Sequence, residues 1–523
     1  MSGPDVTVVV AVYNTMPYLT ECLRSLVDQS IGLDHIEIVA VDDGSTDGSG
    51  AELDQWAQNY PNTVKVLHQE NSGGPAGPSN RALDVATGRY VFFVGADDYL
   101  GAEALERLVT TADELDADIV LGRLVGAGGR VVNQAVYKRN RDDITLVNSA
   151  LPWALSNTKL FRRSMLEEHH IRYPEGLRSC SDQPFTIRAV LAARRIAVRA
   201  DYEFYYAVRR TDSSNITYRT SLHAFVQDTT VVMDTAADLI TDPVARARVL
   251  RRHFTWEVAK LLGARFLDAD RDEQLRVQEG VRKLVEAYLT DEIRASLDVH
   301  RRVPLSVAQH GTIDDVAAVA RHYADHGLSP VVSDGGRYYI AFPGFRDPSR
   351  GFPDDWFDAT AHVRQLLHQK GPADARWGRA PDGRHALLVG LHISLPNLDS
   401  SGDESPRVFA DDLPAVRIES GDDDGGGTEV LGYLLVDDLV AGQTKRKKRR
   451  RVRFTWSAFG ETHSLPVTAL DLAALPRIIH RRGLRFYRVG ADLDKDSQLN
   501  VVTTLVPPRR IAGRLLRRLR LKR

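Results

Sequence analysis

A chain of 523 residues is too long for one ordinary domain. Its formal net charge of −2 sets up no global field for nucleic acid. Two cysteines, Cys22 and Cys180, exclude a disulfide framework and suit a reducing compartment. No run reaches the roughly 18 continuous apolar residues of a membrane span, and the N-terminus enters a strand almost at once, so no secretory leader is expected.

In chain order, Val6 to Val12 is an apolar run of the kind that forms a strand covered on both faces. Tyr18, Leu19, Cys22, Leu23 and Leu26 follow at helical spacing, and Ile36 to Val41 reads as a second buried strand. That strand runs into Asp42-Asp43-Gly44-Ser45-Thr46-Asp47, a carboxylate pair on a glycine turn. Val64 to His68 reads as a third strand, Asn71 to Pro78 as a loop by its turn chemistry, and Asn80 to Ala86 as a helix. Tyr90 to Val94 is a fourth strand bounded by Gly88 and Gly95, with Asp97 and Asp98 beyond its end. Alternation of this kind predicts a parallel sheet with helices on both faces. Carboxylates past the strand ends then lie in the crevice where open α/β sheets bind ligands. Taken alone, Asp97 and Asp98 fit equally well as an acidic turn that caps the next helix.

Four segments, V-V-V-A-V-Y-N, V-D-D-G-S-T-D-G-S, N-S-G-G-P-A-G-P-S-N and A-T-G-R-Y-V-F-F-V-G-A-D-D-Y-L, occur in order over about the first hundred residues. In that order and spacing the chain resembles a family 2 glycosyltransferase of the GT-A fold, and the likeness extends with less force to about Thr217. The resemblance implies an inverting transfer from a nucleotide-sugar donor, most often linked to UDP. By the same resemblance Ala11, Tyr13 and Asn14 line the base pocket, and Asp42 accepts a hydrogen bond from the uracil ring with Asp43 beside it. Asn71 and Asn80 lie near the donor. Asp97 coordinates a divalent cation, with Asp98 adjacent. Such a cation stabilises the charge that develops on a departing diphosphate, and hard oxygen ligands suit Mn2+ or Mg2+.

The pattern departs from the family at Gly95, where a carboxylate is usual, and at Ser79, where an Arg is frequent. An acceptor hydroxyl needs a base to take its proton. Ile171 to Phe185, I-R-Y-P-E-G-L-R-S-C-S-D-Q-P-F, is similar to the family's second signature, with Asp182 on its Asp and Ser181 in place of its Glu. Asp182 is therefore the expected catalytic base, although its place before Gln183-Pro184-Phe185 also fits a plain helix cap.

Ile196 to Val208 has the alternation of a strand, and the stretch from Arg209 and Arg210 to Thr217 resembles the loop that closes over the donor diphosphate. Arginine forks suit phosphate oxygens, while a solvated basic turn explains either residue alone. Residues 221–328 read as a helical connector, and 329–506 as a β-sandwich-like domain of short strands. Trp377, with Leu387 to His392, resembles accessory modules that follow the catalytic domain in transferases acting on wall teichoic acid or related polyol-phosphate polymers. In some of those relatives the module mediates trimer formation. Lys445 to Arg453 reads as a basic loop and Asp422 to Glu429 as an acidic one. Arg509 to Arg523 sets Ile511, Leu515, Leu516 and Leu519 on one helical face with cations around the other. That pattern suits an anionic membrane surface, with an RNA-binding or disordered tail as the competing reading.

The expectation is thus an α/β GT-A domain over residues 1–220, a helical connector, a β-rich accessory domain and a basic tail over 507–523. It would be a transferase at the cytoplasmic membrane face, moving a sugar from a UDP-sugar to a hydroxyl of a cell-envelope glycan or polyol-phosphate polymer, and no nucleic-acid partner is expected. The alternative is a degenerate GT-A domain that binds or scaffolds without turnover.

Overall fold

The structure is a computed structural model of the chain and describes residues 3–210, 220–326, 331–368, 373–393, 407–416, 418–422, 428–458, 461–468 and 475–507. The basic tail from Arg509 onward, the loop from Thr211 to Thr217 and the centre of the acidic loop lie outside the described residues. Two compact units are present, Met1–Arg321 and His322–Arg523.

The first unit opens with strand β1 (Val6–Val12), helix α1 (Leu19–Val27), β2 (Ile36–Asp42), α2 (Ser49–Asn59), β3 (Val64–His68), α3 (Ala76–Val85) and β4 (Tyr90–Gly95). It continues through β5 (Tyr99–Leu100), α4 (Ala104–Leu115), β6 (Ile119–Ala127), β7 (Leu160–Arg162), α5 (Arg163–Glu168), α6 (Asp182–Ala192) and β8 (Ile196–Val208). The eight strands form one sheet in the order β3-β2-β1-β4-β7-β6-β8-β5. β1 pairs in parallel with β2 on one side and β4 on the other. Chain order reverses at that point, which opens a crevice beyond the carboxyl ends of β1 and β4.

The expectation of a wholly parallel sheet is corrected, since β7 runs antiparallel to both β4 and β6, and β5 antiparallel to β8. β7 reaches its place through the mainly irregular segment 128–159 and not through a helical crossover, so no rule of parallel connection applies to it. Helix α3 starts at Ala76, four residues before the expected start, because prolines at 75 and 78 are tolerated in and just before a first turn.

Val6, Val8 and Val10 of β1, Ile38 and Ala40 of β2, and Phe92 and Val94 of β4 are buried against Leu19, Leu23 and Leu26 of α1 and Leu105 and Leu108 of α4. Each such large aliphatic side chain contributes about 1.5–3 kcal/mol by leaving water. A second cluster decides where α6 sits. Phe185 of α6 stacks on Tyr173 at 4.2 Å and meets Phe93 of β4 and Phe161 of β7 edge-on at 5.4 Å each. Phe93 is four residues before Asp97 and Phe185 three after Asp182, so one aromatic cluster fastens both ends of the crevice together.

Helices then run from Leu222 to His326, the longest being Leu222–Leu239 and Arg271–Tyr288, with a π-helical turn at Phe254–Val258. None of the helices described is long and apolar enough to cross a membrane.

In the second unit, strands Val331–Asp334 and Arg337–Ile340 pair around Gly335 and Gly336, both at positive φ. An antiparallel four-stranded sheet is built from Ala373–Arg379, His385–Ile393, Thr428–Leu435 and Ile418–Asp422. A larger sheet is built around Lys447–Ala458 and Leu499–Val506. Strand Thr428–Leu435 gives way to a helical turn, Val436–Val440. One expectation changes here. The basic loop is a strand, Lys447–Ala458, in which Arg450, Val452 and Phe454 are buried while Arg449 and Arg451 are exposed. Arg450 is kept inside by donating to the Leu439 carbonyl at 2.6 Å. With Arg453, Asn500 and Asp411, the exposed pair lines a cavity of about 330 Å³.

Candidate active site

The turn after β1 carries Asn14 in the left-handed region at φ 49°, which Asn tolerates better than most residues. Its side-chain carbonyl accepts from the Thr46 amide at 2.8 Å, and its own amide donates to Ser45 Oγ at 3.0 Å. Asn14 therefore locks the β1 and β2 loops together. Tyr13 beside it is 47% exposed, an aromatic ring at the strand end. Ala11 lies in register with Val41 and Gly95, between the two acidic turns.

Asp42 and Asp43 end β2 and both are buried. Asp42 accepts from the Ser45 amide and pairs with His68 Nδ1, both at 3.0 Å, while His68 Nε2 reaches Asp54 at 2.9 Å. Burial works against the Asp42 charge, but the bonds from Ser45 and His68 outweigh it and hold the carboxyl below its ordinary range. Asp43 accepts from Gln69 at 2.6 Å and from the Ser72 amide and hydroxyl at 3.0 Å. Asn71 donates to the Asp43 carbonyl and accepts from the Gly73 amide, which folds the 69–74 loop over the pair. Gly44 is required in this turn: φ is 77°, and a Cβ would lie 3.0 Å from the Asn71 nitrogen. A carboxylate has about four acceptor positions; the contacts from Gln69 and Ser72 take up those of Asp43, whereas Asp42 retains capacity for a ligand N–H.

His68 is raised by hydrogen bonds to Asp42 and then Asp54. The stability this contributes is fully present below the unfolded His pKa of about 6.5 and is lost as pH rises through the higher folded value. For Asp42 the sign is reversed: its share is present above an unfolded value of about 3.9 and is lost as pH falls through the lower folded one. An NMR titration is expected to place the His68 midpoint above 6.5 and to move it down in Asp42→Asn. A midpoint indifferent to that substitution would contradict the pairing.

At the end of β4 the two acidic residues part. Asp98 turns inward, accepting from Tyr205 Oη at 2.6 Å and the Val208 amide at 2.7 Å, with Arg130 at 3.7 Å. Burial, with Asp97 adding to it, pushes its carboxyl up to about 6. Asp98 thus ties β4 to β8. Asp97 lies at the mouth of the crevice and accepts from Arg210 Nε at 2.7 Å, both residues being only 12–15% exposed. Arg210 also reaches the Asn14 carbonyl at 3.4 Å and lies over the Tyr18 ring at 5.9 Å. Arg209 is exposed, its amide donating to the Ala127 carbonyl at 3.2 Å, so the two arginines divide between surface and crevice.

Gly95 has a structural reason. A Cβ there would lie 2.8 Å from Asp98 Oδ2 and 3.3 Å from Tyr205 Oη. Gly95→Asp, which would write the customary carboxylate into the motif, is therefore expected to displace Asp98 and lower the melting temperature by several degrees, about 1–3 kcal/mol. Unchanged melting with tighter Mn2+ binding would contradict this.

The residues that face the crevice fit a divalent cation brought by a ligand. Asp97 supplies one carboxylate, and such ions are commonly held by one or two carboxylates with the substrate phosphates completing the shell. Among the described residues no three His, Cys, Asp or Glu side chains gather into a cage.

Asn80 is held by Tyr173. Its amide donates to the Tyr173 carbonyl at 3.0 Å and accepts from the Tyr173 amide at 2.8 Å, so it clamps the 171–182 segment to α3. That segment delivers Asp182 to the first turn of α6. Asp182 is partly buried and receives no hydrogen bond from another side chain among the described residues. Burial pushes its carboxyl up, against the pull of Lys159 and Arg252. Lys159 is fully buried, donates to the Ser156 carbonyl, and is itself pushed down to about 7 by burial. Sequence reasoning passed over Arg130, Lys159, Tyr205 and Arg252; Arg130 and Tyr205 meet Asp98, and Arg252 meets Gln183, across stretches that no local pattern links.

A mixed sheet with acidic turns at its switch point and an exposed ring beside them defines an α/β fold of the kind that binds nucleotides. The glycosyl transferase family 2 model matches residues 7–175, and the glycosyl transferase TarS linker domain model matches 223–320. The chain is 42% identical over 205 residues to a poly(ribitol-phosphate) beta-glucosyltransferase of Bacillus spizizenii, 39% of this chain and 32% of that relative. The match therefore spans about a third of the relative's length. The crystal structure of residues 1–349 of S. aureus TarS in complex with UDP-GlcNAc is similar at a TM-score of 0.55 and 30% identity, over 66% of this chain and 98% of that one. The crystal structure of S. aureus TarS covers 96% of this chain and 86% of its own, with a TM-score of 0.70 at 24% identity, a likeness of fold. The chain belongs to glycosyltransferase family 2.

Proposed function

We propose that the protein is an inverting glycosyltransferase that moves glucose or N-acetylglucosamine from a UDP-sugar to a hydroxyl of a polyol-phosphate polymer. The observation that carries this reading is Asp182: a carboxylate at a helix start, raised by burial and without a side-chain donor among the described residues, fastened through Phe185 and Phe93 to the strand that precedes Asp97. The relatives' names, poly(ribitol-phosphate) transferases among them, support the acceptor class.

In this reading Tyr13 stacks on the base, Asp42 accepts its N–H with Asp43 beside it, and Asn14 and Asn71 hold the surrounding loops. A bound Mn2+ or Mg2+ at Asp97 would offset charge on the diphosphate. Arg210 is placed to do the same from the protein side. The acceptor oxygen attacks the anomeric carbon while the bond to the diphosphate oxygen breaks, its electron pair leaving with the UDP. Asp182 takes the hydroxyl proton. Arg449, Arg451 and Arg453 offer forked donors to a polymer phosphate. Residence at the cytoplasmic membrane face through the basic tail, and self-association as a trimer through the β-rich unit, belong to the same proposal. They rest on sequence pattern and resemblance.

Two observations favour a second reading, a binding or scaffold protein without turnover: Arg210 already pairs with Asp97, and a Cβ at position 95 would crowd Asp98 Oδ2 at 2.8 Å. Calorimetry of UDP and GDP separates the donor classes. Binding of UDP over GDP, strengthened by Mn2+, is the expected result, and no UDP binding with or without metal would overturn the UDP assignment.

A further inference from the structure

The family 2 match ends at residue 175 and the linker match begins at 223, so Asp182 lies in neither. The structure shows what holds it. Cys180, the residue two before it, sits in the left-handed region at φ 59°, a conformation that a non-glycine side chain keeps only when its surroundings enforce it. On one side, Asp228 of helix Leu222–Leu239 is buried and its Oδ2 accepts from both the amide and the hydroxyl of Ser179, each at 2.8 Å. On the other side, Gln183 is held by three residues of the next helical stretch. Its carbonyl accepts from Arg252 Nη1 at 2.9 Å and lies 2.8 Å from His253 Nε2, and its amide reaches Glu257 Oε1 at 3.4 Å.

Arg252 and Glu257 pair at 2.6 Å. They are five residues apart, and the π-helical turn Phe254–Val258 brings residues at that spacing onto one face. Arg252 Nε, Glu257 Oε2 and Ser181 Oγ are buried without partners among the described residues, a polar cluster left incomplete beside Asp182. Such groups are normally satisfied, and they persist where function requires them.

We infer that the helical region completes the catalytic centre, with Asp228 and the Arg252–Glu257 pair acting as positioning residues that grip the Ser179–Gln183 turn and aim Asp182. This rests on the transferase reading above. The charged and titratable groups around Asp182 are Lys159 from the segment before β7, Tyr173 from the segment before α6, Cys180 from its own turn, and Arg252 and Glu257 from the helical region. Glu257 raises the Asp182 carboxyl and Arg252 lowers it. Gln at 257 keeps the acceptor oxygen and removes the charge.

The test uses the full chain with Asp228→Ala, Asp228→Asn and Glu257→Gln. Asp228→Ala is expected to lower kcat by about 10- to 100-fold, as a misaimed group does, with the donor KM unchanged and Asp228→Asn recovering most of the loss. Glu257→Gln is expected to move the acid limb of the kcat profile to lower pH. Labelling of the Cys180 thiol by a disulfide reagent supplies a readout independent of turnover. It is expected to accelerate in Asp228→Ala while buried Cys22 stays protected, which also shows that the variant remains folded. Native activity with unchanged kcat, pH profile and labelling in the variants would overturn the inference and leave the transferase reading standing. An inactive native chain would overturn both. Exposure of Cys22 together with Cys180 would mark Asp228 as a residue of global stability and overturn its positioning role.

Discussion

Asp182→Asn is expected to lower kcat for sugar transfer by about 10²- to 10⁴-fold, the range that general base catalysis supplies, and to leave UDP affinity as it is in the native chain. Its carboxyl is raised by burial, so the acid limb of the native rate profile is expected above the ordinary Asp range. The same shift fixes the sign of the stability effect. A carboxyl whose folded pKa is raised makes folding less favourable as pH rises from the unfolded value through the folded one. Replacing it by a neutral amide of the same shape is then expected to leave the melting temperature unchanged or higher at pH 7. Lost turnover with a fold at least as stable separates chemistry from structure. A variant that melts early, or one that keeps native turnover, would remove Asp182 from the base role.

Asp97→Asn carries the second large effect. Charge stabilisation of the leaving diphosphate by a cation is worth several kcal/mol, so kcat/KM is expected to fall by roughly 10²- to 10³-fold. The Mn2+-dependent part of UDP binding is expected to vanish in the same calorimeter. Asp97 also faces Arg210, and the variant leaves that guanidinium without its 2.7 Å partner. Metal-independent binding that Asp97→Asn leaves untouched would instead assign the diphosphate charge to Arg210, and Arg210→Ala would then carry the loss.

How far the sequence went depended on how local the determining physics was. β1, β2, β3 and β8 were legible because each is a sustained apolar or alternating run ended by turn residues. β7 was not, since three residues held only by neighbours on either side leave no periodicity to read. The first half of the strand Lys447–Ala458 was hidden by its cations. Arg450 is buried because a carbonyl on a neighbouring turn satisfies it, a fact no hydropathy pattern contains.

The site shows the same division. Tyr13, Asn14, Asp42, Asp43 and Asp97 do come together at the strand ends, as ordered motifs on one sheet must. Asp98 and Asn80 sit in the same motifs and are held by Tyr205 and Tyr173, more than 90 residues away. The grip of Asp228 on Ser179 spans 49 residues and reaches from the second matched segment into the stretch between the two, so spacing within a motif held no trace of it.

The central claim is tested most directly by incubating the purified chain with poly(ribitol phosphate), Mn2+ and radiolabelled UDP-glucose or UDP-N-acetylglucosamine, and counting label retained on the polymer. The account predicts label transferred in the β configuration by the native chain and none above background with Asp182→Asn. Tight UDP binding with no label on this or any other polyol-phosphate acceptor would contradict it and mark the protein as a donor-binding scaffold.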